Sequence, residues 1–301
     1  MEQTSTPAPL GSWIVALTFV GLLALAVLAH ALLAGSPPSP RFDNFNGDRL
    51  AAIRERRDSN QRALVVLLGT SALKYATDED KDFARQVAFL LGYPVDVLRV
   101  VNNFGVYGDF DNLAHAILEL KPDLVLLQEE LLVTDRPWWR HFLRDLNHLK
   151  WLLTGEGGFD DPGVTAQDVQ FDLPCWRRSG VFEIDAQLEN REKWVTVNPD
   201  GPDARASRKF VAAARAEQIP VVLLDVPRRP DLEQYGNARR REALASSAIA
   251  DTVRLVQTWK PPRIGAEHYC DIAHVTALGR RMYTSWLENR VATALAESRA
   301  R

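Results

Sequence analysis

Three side chains in this sequence have the types and positions that nucleophilic catalysis requires. Ser71 follows an apolar run at residues 64–68 and stands where a predicted strand gives way to a loop. Asp271 and His274 lie three residues apart near the C-terminus, a spacing that can place both side chains on one face. A serine hydroxyl is a weak nucleophile until a base takes its proton, and a carboxylate orients and stabilises that base. The sequence therefore predicts a triad of Ser71, His274 and Asp271.

A glycine follows the second predicted strand. Gly105 lies in the segment NNFGVYGD at positions 102–109. A glycine lets the backbone approach a substrate closely and offers its N–H to a developing oxyanion. Tyr107 and Asp109 follow it in the same segment, and we predict that both contact the substrate.

The elements that must position these groups alternate between strands and helices. Strands are predicted at residues 63–68, 95–101, 124–128 and 221–225, and helices at residues 80–91, 111–120 and 276–296. The last two strands are apolar enough to be buried on both faces. An alternating βαβα order is typical of a parallel sheet, in which reactive groups collect at the carboxyl ends of the strands. The pattern predicts an α/β fold with Ser71 at that edge.

In these blocks the chain resembles the SGNH/GDSL hydrolase superfamily. That family carries a serine after the first strand, a glycine after the second, an asparagine after the third, and a terminal D-x-x-H. Ser71, Gly105, and Asp271 with His274 match three of the four blocks in order, over residues 60–298 without most of an insertion. The resemblance implies a three-layer α/β/α, flavodoxin-like fold and acyl-ester chemistry through an acyl-enzyme on Ser71, with no cofactor.

The third block departs from the family pattern. Where the family places G-x-N-D after the third strand, this chain continues Gln128-Glu129-Glu130. Gln128 has the amide donor that the asparagine would supply, so we predict an oxyanion hole of Ser71, Gly105 and Gln128. A carboxylate beside a developing oxyanion is repulsive unless it turns away or is protonated. The alternative to an enzyme is therefore a catalytically silent domain that binds glycan or a membrane partner in polysaccharide export.

The acceptor would decide the reaction. Water as the acceptor makes the protein an esterase, and a sugar hydroxyl makes it an O-acyltransferase. Family members tethered by one N-terminal span often acetylate or deacetylate bacterial envelope polysaccharides. The resemblance therefore implies acyl groups, above all acetyl, on a cell-envelope carbohydrate, with a membrane acyltransferase as a partner.

An apolar segment near the N-terminus predicts a membrane anchor. Residues 13–34 carry no charge, and a helix of that length is about 33 Å long, enough to span a bilayer core. We predict a tail at 1–11, a transmembrane anchor at 12–34, a linker with a short charged helix at 35–60, and an SGNH-like domain at 61–301 with an insertion at about 131–218. A signal peptide cleaved near Ala29-His30-Ala31 is the alternative.

The charges around this segment oppose the location that the resemblance implies. Five arginines follow the segment within residues 41–57 and no basic residue precedes it. Under the positive-inside rule this indicates a cytoplasmic domain. The tethered family members instead imply a periplasmic domain on a single-pass membrane protein, and this is the placement that we predict.

Composition excludes other classes of function. A formal net charge of -3 and a pI near 6.1 give no basic field for a nucleic acid. The histidines show no E-x-x-H or H-x-H spacing, so no metal site is predicted.

Cys175 and Cys270 form either one disulfide or two thiols, and the sequence leaves both open.

Overall fold

The computed structural model describes residues 10–33, 40–59, 62–102, 105–143, 195–230 and 238–300. Cys175 and residues 144–194 of the predicted insertion lie outside these ranges. The helices are α1 (Leu10–Leu33), α2 (Pro40–Ser59), α3 (Ser71–Ala76), α4 (Asp80–Leu91), α5 (Asp111–Glu119), α6 (Pro202–Ala216), α7 (Ala238–Leu244), α8 (Ser247–Leu255) and α9 (Ala277–Ala300). The strands are β1 (Ala63–Thr70), β2 (Val95–Asn102), β3 (Leu124–Gln128), β4 (Thr134–Asp135), β5 (Thr196–Val197), β6 (Val221–Leu224) and β7 (Gln257–Trp259).

A five-stranded sheet with the order β2-β1-β3-β6-β7 forms the centre of the domain. All its strand pairs are parallel, and the register pairs Thr70 at the end of β1 with Asn102 at the end of β2. Counted along the chain, this is the order 2-1-3-4-5 of flavodoxin-like sheets, which bind ligands outside the carboxyl ends of their strands. The prediction of an α/β fold with a parallel sheet is confirmed.

The central strands are apolar runs because helices cover both faces of the sheet. Every residue of β1 is buried, and successive side chains enter opposite cores. The even-numbered residues from 64 to 68 join a core with side chains from α2, α5 and α6. The odd-numbered residues from 63 to 67 join a second core with side chains from α4 and α9. The result is three layers, with the sheet in the middle.

Two elements differ from the predicted organisation. Helix α6 lies within the predicted insertion at 131–218, yet it buries Phe210, Val211 and Ala214 against the sheet. It is therefore part of the core of the domain. Helix α2 is the charged helix predicted within residues 35–60, but it is longer than expected and begins at Pro40, since proline is well tolerated in the first turn of a helix.

The structure corrects the predicted membrane anchor. Helix α1 covers most of the apolar segment, and its side chains are described from residue 11 to 26, where they are exposed. A bilayer crossing takes about 20 consecutive apolar residues. Over the part of the chain that the structure describes, no helix has the length and apolar character to cross a membrane. The prediction of a single-pass membrane protein is wrong. The periplasmic placement was based on that anchor and therefore loses its basis.

Candidate active site

Ser71, His274 and Asp271 meet at the carboxyl edge of the sheet. The Ser71 Oγ lies 3.0 Å from His274 Nε2, although the two residues are 203 positions apart. The other ring nitrogen, Nδ1, lies 2.6 Å from Asp271 Oδ2. Both are hydrogen-bond distances. The three groups therefore stand in the order nucleophile, base and orienting carboxylate.

The junction of β1 and α3 positions the serine. Thr70 ends the strand in an extended conformation and caps the helix, since its Oγ1 accepts a hydrogen bond from the Ala72 N–H at 3.3 Å. Ser71 is the first residue of α3, where a helix provides no internal acceptor for the backbone N–H. The Ser71 N–H is thus a candidate donor to an oxyanion formed beside its own Oγ.

A tight turn holds the acid and the base together. The Asp271 Oδ1 accepts hydrogen bonds from the backbone N–H groups of Ala273 at 2.9 Å and His274 at 2.8 Å. The Cys270 N–H donates to the His274 carbonyl oxygen at 2.7 Å and closes the turn. Cys270 is disulfide-bonded. The turn is therefore held by the disulfide and the backbone hydrogen bond at Cys270, and by the hydrogen bonds to the Asp271 carboxylate.

The electrostatics of Asp271 suit its orienting position. Burial alone would raise the pKa of this carboxyl, which is 7% exposed. The hydrogen bonds from the His274 ring and from the two backbone N–H groups outweigh burial and hold the pKa below its ordinary value. The carboxylate is thus ionised at neutral pH, as it must be to stabilise a protonated imidazole.

Tyr75 packs against the catalytic base His274, and this contact was not predicted from the sequence. Its ring lies edge-on to the His274 ring, with centroids 4.6 Å apart and an interplanar angle of 67°. Tyr75 is four residues after Ser71 on α3, and positions four apart share a helix face. That spacing is the signal in the sequence that points to Tyr75. The contact restricts rotation of the imidazole.

Gly105 lies shortly after the end of β2, the strand beside β1. Its N–H donates to the Asn102 carbonyl oxygen at 3.3 Å, a long hydrogen bond. An added Cβ would lie 3.0 Å from that oxygen, so this position accommodates glycine best. The role of Gly105 as an oxyanion donor stays a prediction.

Gln128 is bound within the protein. The side chain is 1% exposed, and its Oε1 accepts from the Thr70 N–H at 2.8 Å and the Thr70 hydroxyl at 3.2 Å. Its Nε2 donates to Glu130 Oε2 at 3.0 Å, and Arg228 pairs with the same carboxylate. The geometry corrects the predicted role of Gln128. Its Oε1 bonds the residue before Ser71, and its Nε2, the donor that an oxyanion would need, is used by Glu130.

Arginines neutralise the acidic residues that replace the expected asparagine. Arg228 pairs with Glu130, and the Arg240 guanidinium lies 3.6 Å from Glu129 and 3.7 Å from Asp225. Burial and the nearby Asp225 raise the pKa of Glu129 to about 7, while both arginines oppose this rise. The repulsion expected from Glu129 and Glu130 is thereby relieved.

The structure also corrects the predicted substrate contacts. Tyr107 is 0% exposed and packs in the core against Phe110 and Phe210, with centroids 6.4 Å and 5.7 Å away. The Asp109 Oδ2 accepts from the Val106 N–H at 3.0 Å, and its other oxygen pairs with the buried Arg136. Tyr107 is thus used in packing, and the Asp109 carboxylate is bonded within the protein.

No protein-family model matches the chain, and no curated protein matches it. Solved structures do match. A GDSL-like lipase from Bacteroides thetaiotaomicron is 13% identical, with 84% of this chain and 99% of that chain covered and a TM-score of 0.38. An acetyl xylan esterase from the rumen bacterium Butyrivibrio proteoclasticus is 10% identical, with coverage of 78% and 64% and a TM-score of 0.35.

A third match is a catalytic mutant of an acetylxylan esterase from Geobacillus stearothermophilus. It is 12% identical, with 77% of this chain and 94% of that chain covered and a TM-score of 0.33. Similarities this low carry no argument about this chain. The functional conclusion rests on the geometry of the triad and on the sheet that presents it.

Proposed function

We propose that this chain is a serine hydrolase of the SGNH/GDSL type that cleaves ester-linked acyl groups. The observation that carries the proposal is the continuous hydrogen-bond chain from Ser71 Oγ through His274 to Asp271, at 3.0 Å and 2.6 Å. A fold alone does not specify an activity, so the site must support it. Here a nucleophile, a base and an orienting acid meet where sheets of this order bind ligands.

The geometry supports a two-step reaction. His274 Nε2 takes the Ser71 proton as Oγ attacks the acyl carbonyl carbon, and the same proton then passes to the departing alkoxide. The products of this step are the free alcohol and an acyl ester on Ser71. His274 then removes a proton from water, which attacks the ester and releases a carboxylic acid while Ser71 recovers its proton. Asp271 keeps Nδ1 protonated throughout.

The oxyanion hole has fewer hydrogen-bond donors than the family pattern implies. The Ser71 N–H at the start of α3 is one donor, and Gly105 is a second candidate. Gln128 adds none because Thr70 and Glu130 occupy its amide. Loss of one such donor lowers kcat by about 10²–10³-fold in a serine hydrolase. We therefore expect slow turnover.

Acetyl esters of carbohydrates are the first substrates to test. The resemblance of the sequence blocks to the SGNH/GDSL family implies them. Transfer of the acyl group to a sugar hydroxyl, the O-acyltransferase reaction, would use the same acyl-enzyme, because the second step differs only in the acceptor.

Hydrolysis of p-nitrophenyl acetate and of acetylated xylan tests the proposal. We expect the wild type to release p-nitrophenol and acetate, and the Ser71→Ala variant to fall to the background rate. Ser207→Ala is a matched control, because Ser207 is fully buried on α6 and donates only to the Ala204 carbonyl oxygen. Equal rates of ester hydrolysis for the wild type and Ser71→Ala would refute the proposal that the protein is a serine hydrolase.

A silent binding domain is the second candidate, and the occupied amide of Gln128 favours it. Under that function, neither the wild type nor Ser71→Ala turns over any ester, while both bind acetylated glycan equally. Glycan binding by both proteins without hydrolysis would support the binding domain and reject the enzyme.

A further inference from the structure

A second group of polar side chains lies around the start of α6, and the reaction proposed above uses none of them. Asp135 ends β4, Asp203 is the second residue of α6, and His141 lies in a helical stretch after β4. One donor atom from each residue lies within 4.8 Å of the other two. Asp135 and Asp203 are each 3% exposed, while the side chain of His141 is 26% exposed.

The distances fit a single small cation. His141 Nε2 lies 3.2 Å from Asp135 Oδ1 and 3.8 Å from Asp203 Oδ2. Zinc binds nitrogen and carboxylate oxygen at about 2.0–2.2 Å, so donors around one tetrahedral zinc ion lie about 3.4 Å apart. The observed separations fall on either side of that value. All three donor atoms lie within 4.8 Å of one another, close enough to face one ion.

Hydrogen bonds from the surrounding backbone and from Asn198 hold the two carboxylates in place. Asp135 Oδ2 accepts from Asn198 Nδ2 at 3.2 Å, and Asp135 Oδ1 accepts from the Asp203 N–H at 3.2 Å. Asp203 Oδ2 accepts from the Arg136 N–H at 3.1 Å. Outer hydrogen bonds of this kind orient the ligands in metal sites.

The approach of Gly201 to Asp135 shows how closely the protein surrounds this group. A Cβ at Gly201 would lie 2.0 Å from Asp135 Oδ2, so only glycine leaves room for the carboxylate. The backbone before α6 is thus shaped around the Asp135 side chain. With the hydrogen bonds above, it gives a rigid arrangement of both oxygen donors.

Charge also favours a cation between these groups. Two carboxylates buried side by side repel each other unless a proton or a cation lies between them. The guanidinium of the neighbouring Arg136 pairs with Asp109 and also acts electrostatically on both aspartates, so it offsets part of their charge. A divalent ion bound to His141 and both aspartates would balance the two negative charges directly.

We propose that Asp135, His141 and Asp203 bind one divalent transition-metal ion of the zinc class. Two carboxylates and one imidazole are three protein ligands, which leaves a fourth position for water on the exposed side of His141. The ion would join β4, the helical stretch at 138–143 and the start of α6. The sequence shows no motif for this site because Asp203 follows Asp135 by 68 positions.

Titration calorimetry on the full chain, stripped with a chelator and free of any affinity tag, tests this site. With ZnCl₂ we expect one ion per chain, weaker binding of Mn²⁺, and no measurable binding of Mg²⁺ or Ca²⁺. Zinc should raise the Tm of the stripped protein. His141→Ala should weaken zinc binding at least tenfold, and Asp203→Asn should weaken it further.

His115→Ala is the matched control, because His115 is an 87% exposed histidine that also pairs with a carboxylate, Glu119. It should bind zinc as the wild type does. His141→Ala alters a half-buried side chain, so it is the variant to use if Asp203→Asn does not fold. The proposal is overturned if zinc does not bind stoichiometrically, if Mg²⁺ or Ca²⁺ binds more tightly, or if His141→Ala binds zinc like the wild type.

Discussion

Replacing Gln128 with leucine tests whether the third strand positions the nucleophile. Leucine is similar in size and keeps the apolar contacts of β3, but it lacks both the amide oxygen and the amide nitrogen of Gln128. The Thr70 N–H and hydroxyl lose their acceptor at 2.8 Å and 3.2 Å, and Glu130 loses its donor at 3.0 Å. Glu130 keeps its ion pair with Arg228. The perturbation therefore falls mainly on Thr70.

The structure sets the expected size of the effect. A buried N–H left without an acceptor costs about 1–3 kcal/mol, and an ordinary hydrogen bond contributes about 0.5–1.5 kcal/mol. We expect the free energy of unfolding to fall by about 2–4 kcal/mol on these values. Misplacing a reacting group by an ångström can cost about 10²-fold in rate. A shift of Ser71 should therefore lower kcat by about 10- to 100-fold and change KM little.

Urea unfolding and steady-state hydrolysis of p-nitrophenyl acetate measure the two effects. Asn46→Leu is the matched control, because Asn46 is 0% exposed and its amide is also bound at both ends, by the Phe42 carbonyl oxygen and Arg49. We expect this variant to lose stability while its kcat stays near that of the wild type. If Gln128→Leu loses stability but keeps its kcat within about twofold, Gln128 does not position the serine.

Three further predictions concern the catalytic loop and a buried acid. Asp271→Asn keeps the acceptor for the two backbone N–H groups but cannot hold the His274 tautomer, so kcat should fall by roughly 10⁴-fold with little change in Tm. Burial, and then the charge of Asp78, raises the pKa of Glu288 to about 7. The folded state thus loses stability as the pH rises from the unfolded pKa through 7, and Glu288→Gln should raise the Tm by a few degrees at about pH 8 but not at about pH 4. Reduction of the disulfide at Cys270 should cost about 2–4 kcal/mol of stability, visible as a lower Tm in dithiothreitol, and an unchanged Tm would contradict this.

The central strands could be predicted because their pattern is local. Burial on both faces gives uninterrupted apolar runs, and β3 has the predicted bounds, Leu124–Gln128. Strand β7 has only three residues, Gln257–Trp259, and one of them is exposed. So short a segment has no periodicity to detect. Its existence follows from pairing with β6, which is a tertiary contact.

The triad residues could be predicted, but their surroundings could not. The order of the blocks indicated Ser71 and His274, although the contact between them depends on the complete sheet. The amide of Gln128 could also be identified from the sequence, but its hydrogen-bond partner could not. Thr70 contacts Gln128 because of the register that pairs β1 with β3, which is a tertiary feature. Tyr107 stands beside a glycine-rich turn, and only the packing of α6 shows that it belongs to the core.

Labelling with a fluorophosphonate, followed by mass spectrometry of the digested protein, tests the central claim most directly. We predict one adduct, on the peptide that contains Ser71, with slower labelling in His274→Ala and none in Ser71→Ala. Absence of an adduct on the folded wild type, or an equal adduct on Ser71→Ala, would show that Ser71 is not an activated nucleophile.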